Sequence, residues 1–171
     1  GVEVDIMKYF NWFGIKANYT YTHSSITTTK RTMEGTEVIA VQQTRPLYGQ
    51  AAHVANLSLL FKFAKAGVEA QVSGSYTGRR LSEISNWVDN DIWEAGYVQL
   101  DASIEKSFKC GITIFAKANN LLDMPVLRYI VNNPRTENLK DYERYKGGVI
   151  ERREWHGQSA MIGLRYNFKE K

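Results

Sequence analysis

Strict alternation of apolar and polar residues is the dominant pattern along this chain. In the stretch from 96 to 106, Val98, Leu100 and Ile104 share one side, while Gln99 and Asp101 lie on the other. Because successive side chains of a strand point to opposite faces, this pattern predicts strands with one apolar and one polar face. No segment has the broad apolar stripe of a helix. About seven strands are predicted, at residues 2–7, 15–22, 55–63, 68–77, 96–106, 112–119 and 159–168.

The connections between these strands alternate in length. Since every second connection is long, all the long loops should emerge at one end of the sheet, as they do in outer-membrane barrels. Loops of more than about 12–15 residues are uncommon in compact domains unless they have a function. The polar segment 137–146 lacks an apolar stripe and is predicted to be loop. The short connections span residues 9–12, 64–67 and 109–111, and the long ones span residues 30–49, 79–95 and 123–157.

Aromatic residues gather at two heights of the predicted sheet, as in the aromatic belts at both interfaces of a bilayer. A soluble antiparallel sandwich, or a soluble barrel around a small apolar ligand, would show the same alternation. Three features indicate that the apolar face borders lipid and does not pack into a core of large residues. They are the aromatic belts, the asymmetry in loop length, and small residues on the apolar face such as Ala17, Ala70 and Ala102. The belt at the short turns contains Phe10, Trp12, Phe13, Phe61, Phe63, Phe108, Tyr166 and Phe168, and the belt at the long loops contains Tyr21, Tyr76 and Tyr97.

The alternation also assigns individual residues to the two faces. Buried charges need partners, so Glu105 is expected to pair with a lysine of a neighbouring strand. Charged residues predicted to line the interior of a barrel are Lys16, Lys62, Glu69, Asp101, Glu105, Lys117 and Arg165. Apolar residues predicted to face lipid are Leu57, Leu59, Val72, Leu100, Ile104, Ile114, Ile162 and Leu164.

Composition narrows the class of protein. A length of 171 residues with 43% hydrophobic residues indicates one folded domain. The net charge of +4 is too small to indicate a nucleic-acid partner, and the single cysteine, Cys110, allows no internal disulfide. No apolar run reaches the ~18 residues of a membrane-spanning helix. Because single-chain bacterial barrels have an even number of strands, seven strands mean that one strand is missed or that the chain belongs to a larger barrel.

The sequence shows no motif for covalent chemistry, so we expect no enzyme activity, cofactor or metal site. Its three histidines are scattered, and the oxygen donors in residues 87–91 lack the glycine and distal glutamate of a calcium loop. The long connection 123–157 is the best candidate for ligand contact, because aromatic and Arg residues are common binding anchors. The same residues could bridge lipopolysaccharide phosphates. The candidates are Arg128, Tyr129, Arg135, Tyr142, Arg144, Tyr145, Arg152, Arg153 and Trp155.

Four segments together resemble the C-terminal end of a TonB-dependent outer-membrane receptor, most closely the receptors of the Bacteroides group. They occur in the right order and cover nearly the whole chain. The most specific feature is an NNLLD segment after a strand, followed by a long loop and a terminal strand that ends in an aromatic residue. The segments are NYTYTHS at 18–24, RPLYGQAAHVANLSLLF at 45–61, AKANNLLDMP at 116–125 and REWHGQSAMIGLRYNF at 153–168.

This resemblance implies an all-β antiparallel transmembrane barrel of 22 strands, of which residues 1–171 would supply about the last seven and no plug domain. It implies energy-coupled import of a nutrient such as a ferric siderophore, cobalamin or a glycan across the outer membrane of a Gram-negative bacterium. The implied partners are outer-membrane lipid, lipopolysaccharide, a plug domain, TonB and a possible surface lipoprotein. A small outer-membrane barrel with an adhesion, anchoring or structural role is the alternative.

Overall fold

The computed structural model describes residues 1–131, 139–146 and 148–168. Within these residues the fold is all-β, and its sheets are antiparallel, as the alternation predicted. The strands are β1 (Val2–Tyr9), β2 (Phe13–Tyr21), β3 (Ile26–Glu34), β4 (Glu37–Arg45), β5 (His53–Phe63), β6 (Val68–Thr77), β7 (Arg80–Glu83), β8 (Ile92–Glu94), β9 (Tyr97–Ser107), β10 (Ile112–Asn119), β11 (Val126–Ile130), β12 (Arg144–Tyr145), β13 (Gly148–Glu154) and β14 (Ser159–Tyr166).

The large sheet has seven strands in the order β1-β2-β5-β6-β9-β10-β14. These seven strands lie where the alternation predicted them, but the described residues contain fourteen strands in total, so the predicted number of about seven is too low. Every strand pairs with its neighbours along the order, and no sheet in the described residues closes into a barrel. Both β1 and β14 therefore present an edge that lacks a strand partner within the described residues.

Tight turns join the strands at one end of the large sheet. Between β5 and β6, a single 3₁₀ turn, Ala64–Ala66, ends at Gly67, whose φ of +62° is the left-handed conformation that glycine adopts readily. A Cβ at that position would lie only 2.4 Å from the backbone oxygen of Ser107. Glycine therefore allows both the turn and its close approach to β9.

The long connections are not plain loops, and the prediction that they are unstructured is wrong. Residues 30–49 contain most of the β3–β4 hairpin, and residues 79–95 contain β7 and β8. Residues 123–157 contain β11, β12 and β13. In β3 alternation gave little signal because polar residues occupy both faces, as in the run Thr27-Thr28-Thr29-Lys30. Strands β7, β8 and β12 have only 4, 3 and 2 residues, which is too short to show a period.

These extra strands extend the large sheet beyond its long-loop end. A second sheet has the order β12-β13-β11-β8-β7. Strand β7 follows β6 after a two-residue bend, β8 leads into β9, and β13 leads into β14. In the second sheet β7, β8, β11 and β13 are neighbours in the same order as β6, β9, β10 and β14 in the large sheet. The strand pairing of the large sheet continues outward into this second sheet.

The small buried core belongs to the second sheet. Among the described residues, the buried apolar side chains are Leu81, Ala95 and Tyr129. Leu81 and Tyr129 both lie directly opposite Trp93 of β8, so these three residues share one face. The large sheet contributes no apolar residue to this core, which leaves its own apolar face without a dry interior.

Candidate functional site

The apolar face of the large sheet is the first candidate functional surface. Leu57 is paired with Ala17 and Gly74, and Gly74 is paired with Leu100, so these residues lie on one face. The register places all eight residues predicted to face lipid on this same face. Six of them are at least 37% exposed, namely Leu57, Val72, Ile104, Ile114, Ile162 and Leu164. That the face borders lipid stays a prediction.

Two aromatic groups flank this face. At the short-turn end, Trp12 stacks on Phe63 with ring centroids 5.6 Å apart, and Phe13 contacts Phe61 at 5.3 Å. At the long-loop end, the Tyr19 hydroxyl lies 2.7 Å from Nδ1 of His53, and the Tyr21 ring lies 5.3 Å from the His53 ring. In β5, His53 and Phe61 are separated by about 27 Å along the strand, at ~3.4 Å per residue. A tilt of about 40° reduces that height to roughly 21 Å, close to the apolar band of outer-membrane barrels.

The opposite face of the large sheet is polar, and the register places all seven charged residues predicted to line a barrel interior on it. Side chains on this face form hydrogen bonds with one another: Asn56 of β5 donates to Asn18 of β2 at 2.8 Å, and within β6 Gln71 donates to Ser73 at 2.6 Å. Near Ser103 the face contains a cavity of about 540 Å³. The two faces of one sheet therefore differ sharply in chemistry.

The charge pairing on the polar face differs from the expectation. Lys62 and Glu69 lie opposite each other and form an ion pair at 2.5 Å. Glu105 lies opposite Glu69 on the other side, and it has no lysine within ion-pair distance among the described residues. The predicted pairing of Glu105 with a lysine is therefore wrong. The register aligns two carboxylates beside a single lysine, which sequence alone could not reveal.

The NNLLD turn after β10 is fastened to the large sheet. Asn120 has φ of +55°, a left-handed conformation that asparagine tolerates better than most residues. Its backbone N–H donates to the Asp101 carboxylate at 2.9 Å, and its side-chain amide donates to the Gly157 carbonyl at 2.8 Å. The Leu121 N–H donates to the Leu100 carbonyl at 2.8 Å. Asp101 thus supports the turn as well as carrying charge on the polar face.

The predicted ligand-contact residues lie on and around the second sheet, and several of them support the fold. Tyr129 is only 1% exposed and meets the Tyr145 ring edge-on at 4.9 Å, so its ring is packed inside. Arg128 forms an ion pair with Glu83 at 3.1 Å. Arg152 lies 3.2 Å from Glu154 and 3.8 Å from Glu151, and Arg144 is the first residue of the short strand β12.

Tyr142, Arg153 and Trp155 form an exposed cluster beyond the second sheet. Arg153 donates to the Tyr142 carbonyl at 3.4 Å, and its guanidinium lies 5.8 Å from the centre of the Trp155 ring. Tyr142 is 63% exposed and Trp155 57% exposed, so both rings remain accessible. Of the predicted ligand-contact residues, these three are brought together at the surface, whereas Arg135 lies outside the described residues.

A buried ion pair that the sequence did not indicate joins the β3–β4 hairpin to the β7–β8 hairpin. Lys30 Nζ lies 2.5 Å from Asp91 Oδ1, and the two side chains are 2% and 8% exposed. The same oxygen accepts the Ser85 backbone N–H at 2.8 Å. Asp89 accepts a hydrogen bond from Gln43 at 3.3 Å. The carboxylates of Asp89 and Asp91 in residues 87–91 therefore bind protein groups. Lys30 and Asp91 are 61 positions apart in the sequence, so their pairing could not be predicted from it.

Comparisons with known proteins give this chain no relative. No family model, curated protein or solved structure matches it. The helical segments of the described residues include none with the length and apolar content that crossing a membrane requires. Within residues 1–131, 139–146 and 148–168, no three or more His, Cys, Asp or Glu side chains converge as metal ligands. The chemical contrast between the two faces of the large sheet is therefore the main indication of function.

Proposed function

We propose that this chain is the C-terminal wall of the barrel of a TonB-dependent receptor in a Gram-negative outer membrane, where it takes part in nutrient import. The observation that carries the proposal is the large apolar face of the seven-stranded sheet, which is exposed and flanked by two aromatic groups. In water, a contiguous exposed apolar surface of this kind is unfavourable and marks an interaction site. In hydrocarbon it is the stable arrangement.

The two open edges support a larger barrel. In lipid, each unpaired backbone N–H or C=O group costs several kcal/mol, so spanning sheets close completely. Strands β1 and β14 lie at opposite edges of the order and are not paired with each other. In the proposed 22-stranded barrel, strands outside this chain would pair with both edges.

The polar face would line the barrel interior and contact a plug domain through water and hydrogen bonds. Its ion pair, Lys62–Glu69, and its hydrogen-bonded amides suit a wet interface better than hydrocarbon. The cluster Tyr142, Arg153 and Trp155 would lie outside the membrane, where it could contact a ferric siderophore, cobalamin, a glycan or a surface lipoprotein. TonB would act through parts of the receptor other than this wall.

The runner-up is a small outer-membrane barrel with an adhesion or anchoring role. It would require β1 to pair with β14, or an additional strand between them, because membrane barrels have no open edges. The strand order of residues 1–131, 139–146 and 148–168 contains neither arrangement. The importer is therefore the better supported proposal.

Site-specific fluorescence tests the membrane assignment. In a Cys110→Ser background, Leu57→Cys and Ser103→Cys place a thiol on the apolar and polar faces of the intact protein, and each is labelled with a small fluorophore in vesicles. Brominated acyl chains should quench the label at position 57 and leave the label at 103 nearly unchanged. Equal quenching at both positions, or stronger quenching at 103, would show that the faces are assigned incorrectly.

Uptake assays then separate the importer from the small barrel. Cells expressing the intact protein should accumulate a labelled siderophore, cobalamin or glycan only when TonB is present. Accumulation that is the same without TonB would contradict the importer, even if the fluorescence result supports the membrane assignment.

A further inference from the structure

An open cleft lies where the β3–β4 hairpin meets the second sheet. Its volume is about 290 Å³, close to the lower limit of about 300 Å³ for small-molecule pockets. One wall is the end of β4, with Gln43 and Arg45, and the other comprises Arg79 and Trp93 beside β7 and in β8. The buried Lys30–Asp91 pair fixes the two walls relative to each other.

Arg79 presents a pre-oriented guanidinium to this cleft. Its guanidinium carbon lies 4.8 Å from the centre of the Trp93 ring, so the aromatic face holds the guanidinium plane. Stacking of this kind engages the flat face and leaves the N–H donors at the edge available. Within the described part of the chain, no carboxylate forms an ion pair with Arg79. An exposed cation is thus held in place without a counter-ion among the described residues.

The guanidinium of Arg45 lies in the same cleft and has one N–H donor without a partner among the described residues. Arg45 donates from one terminal nitrogen to the Pro46 carbonyl at 3.2 Å. Its Nε is buried, and among the described residues it has no hydrogen-bond partner. The side-chain oxygen of Gln43 is likewise buried without a partner there. Buried polar atoms normally have partners, so these two atoms beside the cleft keep hydrogen-bonding capacity that a ligand could use.

The charges of the cleft favour an anion. Asp91 is neutralised by Lys30 at 2.5 Å, so its carboxylate does not compensate the two guanidinium groups. Asp89 is the remaining acid among the described residues that line the cleft, and it accepts a hydrogen bond from Gln43. Arg45 and Arg79 are two cations beside one uncompensated carboxylate, so the cleft has an excess of positive charge. The Asp89 carboxylate can accept hydrogen bonds from hydroxyl groups.

From this arrangement, we propose that the cleft binds a small hydroxylated organic anion. Its carboxylate or phosphate would accept hydrogen bonds from Arg79 and Arg45, because the planar guanidinium fork matches both groups. Its hydroxyl groups would donate to Asp89 and to the Gln43 oxygen. The inference goes beyond the proposed import role, since it concerns one ligand site outside the predicted Tyr142–Arg153–Trp155 cluster.

Calorimetry on the intact protein in mild detergent tests the inference with three probes: glucuronate, glucose 6-phosphate and glucose. The two anions share the sugar ring of the neutral probe, so the difference isolates the charged group. Binding of either anion without binding of glucose is the expected result, and the preferred anion identifies the charged group. Arg79→Gln should weaken that binding about ten- to hundredfold, as expected for loss of hydrogen bonds to a charged group.

Two further variants guard against a folding defect. Arg45→Lys keeps the charge and removes the fork, and it should weaken binding at least about fivefold. Arg31→Gln, in an exposed position on the same hairpin, should bind like the parent protein. Glucose binding equal to that of the anions, full binding by Arg79→Gln, or no heat from any probe at millimolar concentration would each overturn the inference. These outcomes leave the membrane assignment untouched, because the measurement needs no bilayer.

Discussion

Replacing Leu57 by arginine would place a charge in the middle of the apolar face. Leu57 is 49% exposed and lies four residues from His53 and four from Phe61, which belong to the two aromatic groups. If the face borders hydrocarbon, arginine at this depth should cost about 2–4 kcal/mol. If the face borders water, the same change should stay within about 0.5 kcal/mol, as for other surface substitutions.

Two companion variants make the comparison sharp. Ser103→Arg introduces the same side chain on the polar face, next to the cavity of about 540 Å³, and should fold nearly normally. Ala55→Arg lies on the apolar face between Tyr19 and Tyr76, at the height of an aromatic group, where a charge should cost only about 0–1 kcal/mol. If the cost of arginine depends on its depth along the face, the face borders lipid, because a protein partner would not make the cost vary with depth.

Urea titration of the intact protein in vesicles, followed by tryptophan fluorescence, measures all three free energies of unfolding. A difference of about 1.4 kcal/mol changes the equilibrium tenfold, so the expected loss for Leu57→Arg is well resolved. A loss for Leu57→Arg no larger than that for Ser103→Arg would refute the assignment of the faces.

Three further predictions concern the fold. Lys30→Met leaves the Asp91 carboxylate buried without its cation, so the β3–β4 hairpin should lose about 3–5 kcal/mol of stability, measured as faster amide hydrogen exchange. Amides of the control variant Arg31→Met should exchange at the rate of the parent protein, and equal rates in the two variants would contradict the role of the ion pair. Asn120→Ala should cost about 1–3 kcal/mol in urea unfolding, and Asn120→Gly less, since the φ of +55° strains alanine; the reverse order would refute this reasoning. Gly67→Ala should lower stability by at least about 1 kcal/mol, and an unchanged unfolding curve would show that the turn relaxes freely.

The sequence was most informative where one face of a strand is apolar. The seven strands of the large sheet could be located because apolar residues recur at every second position. Alternation also separated Leu57 from Lys62 and Leu100 from Asp101, and the register places each on the predicted face. In these strands, the side-chain period is the dominant constraint on which residues share a face.

Strands with two polar faces and contacts distant in sequence could not be predicted. Strand β3 carries Thr28 and Lys30 on one face and Thr27 and Thr29 on the other, so its composition is typical of a loop. The Lys30–Asp91 pair and the cleft beside Arg79 arise only when two hairpins pack together. Spacing along the chain contains no information about such contacts.

The strand order of the large sheet affects how the number of its strands can change in evolution. Its strands follow one another in space as they do along the chain, even where an outer hairpin intervenes. Duplication or deletion of one hairpin would therefore widen or narrow the large sheet by two strands without changing the path of any other segment. The width of the large sheet and the hairpins beyond its long-loop end can thus change independently.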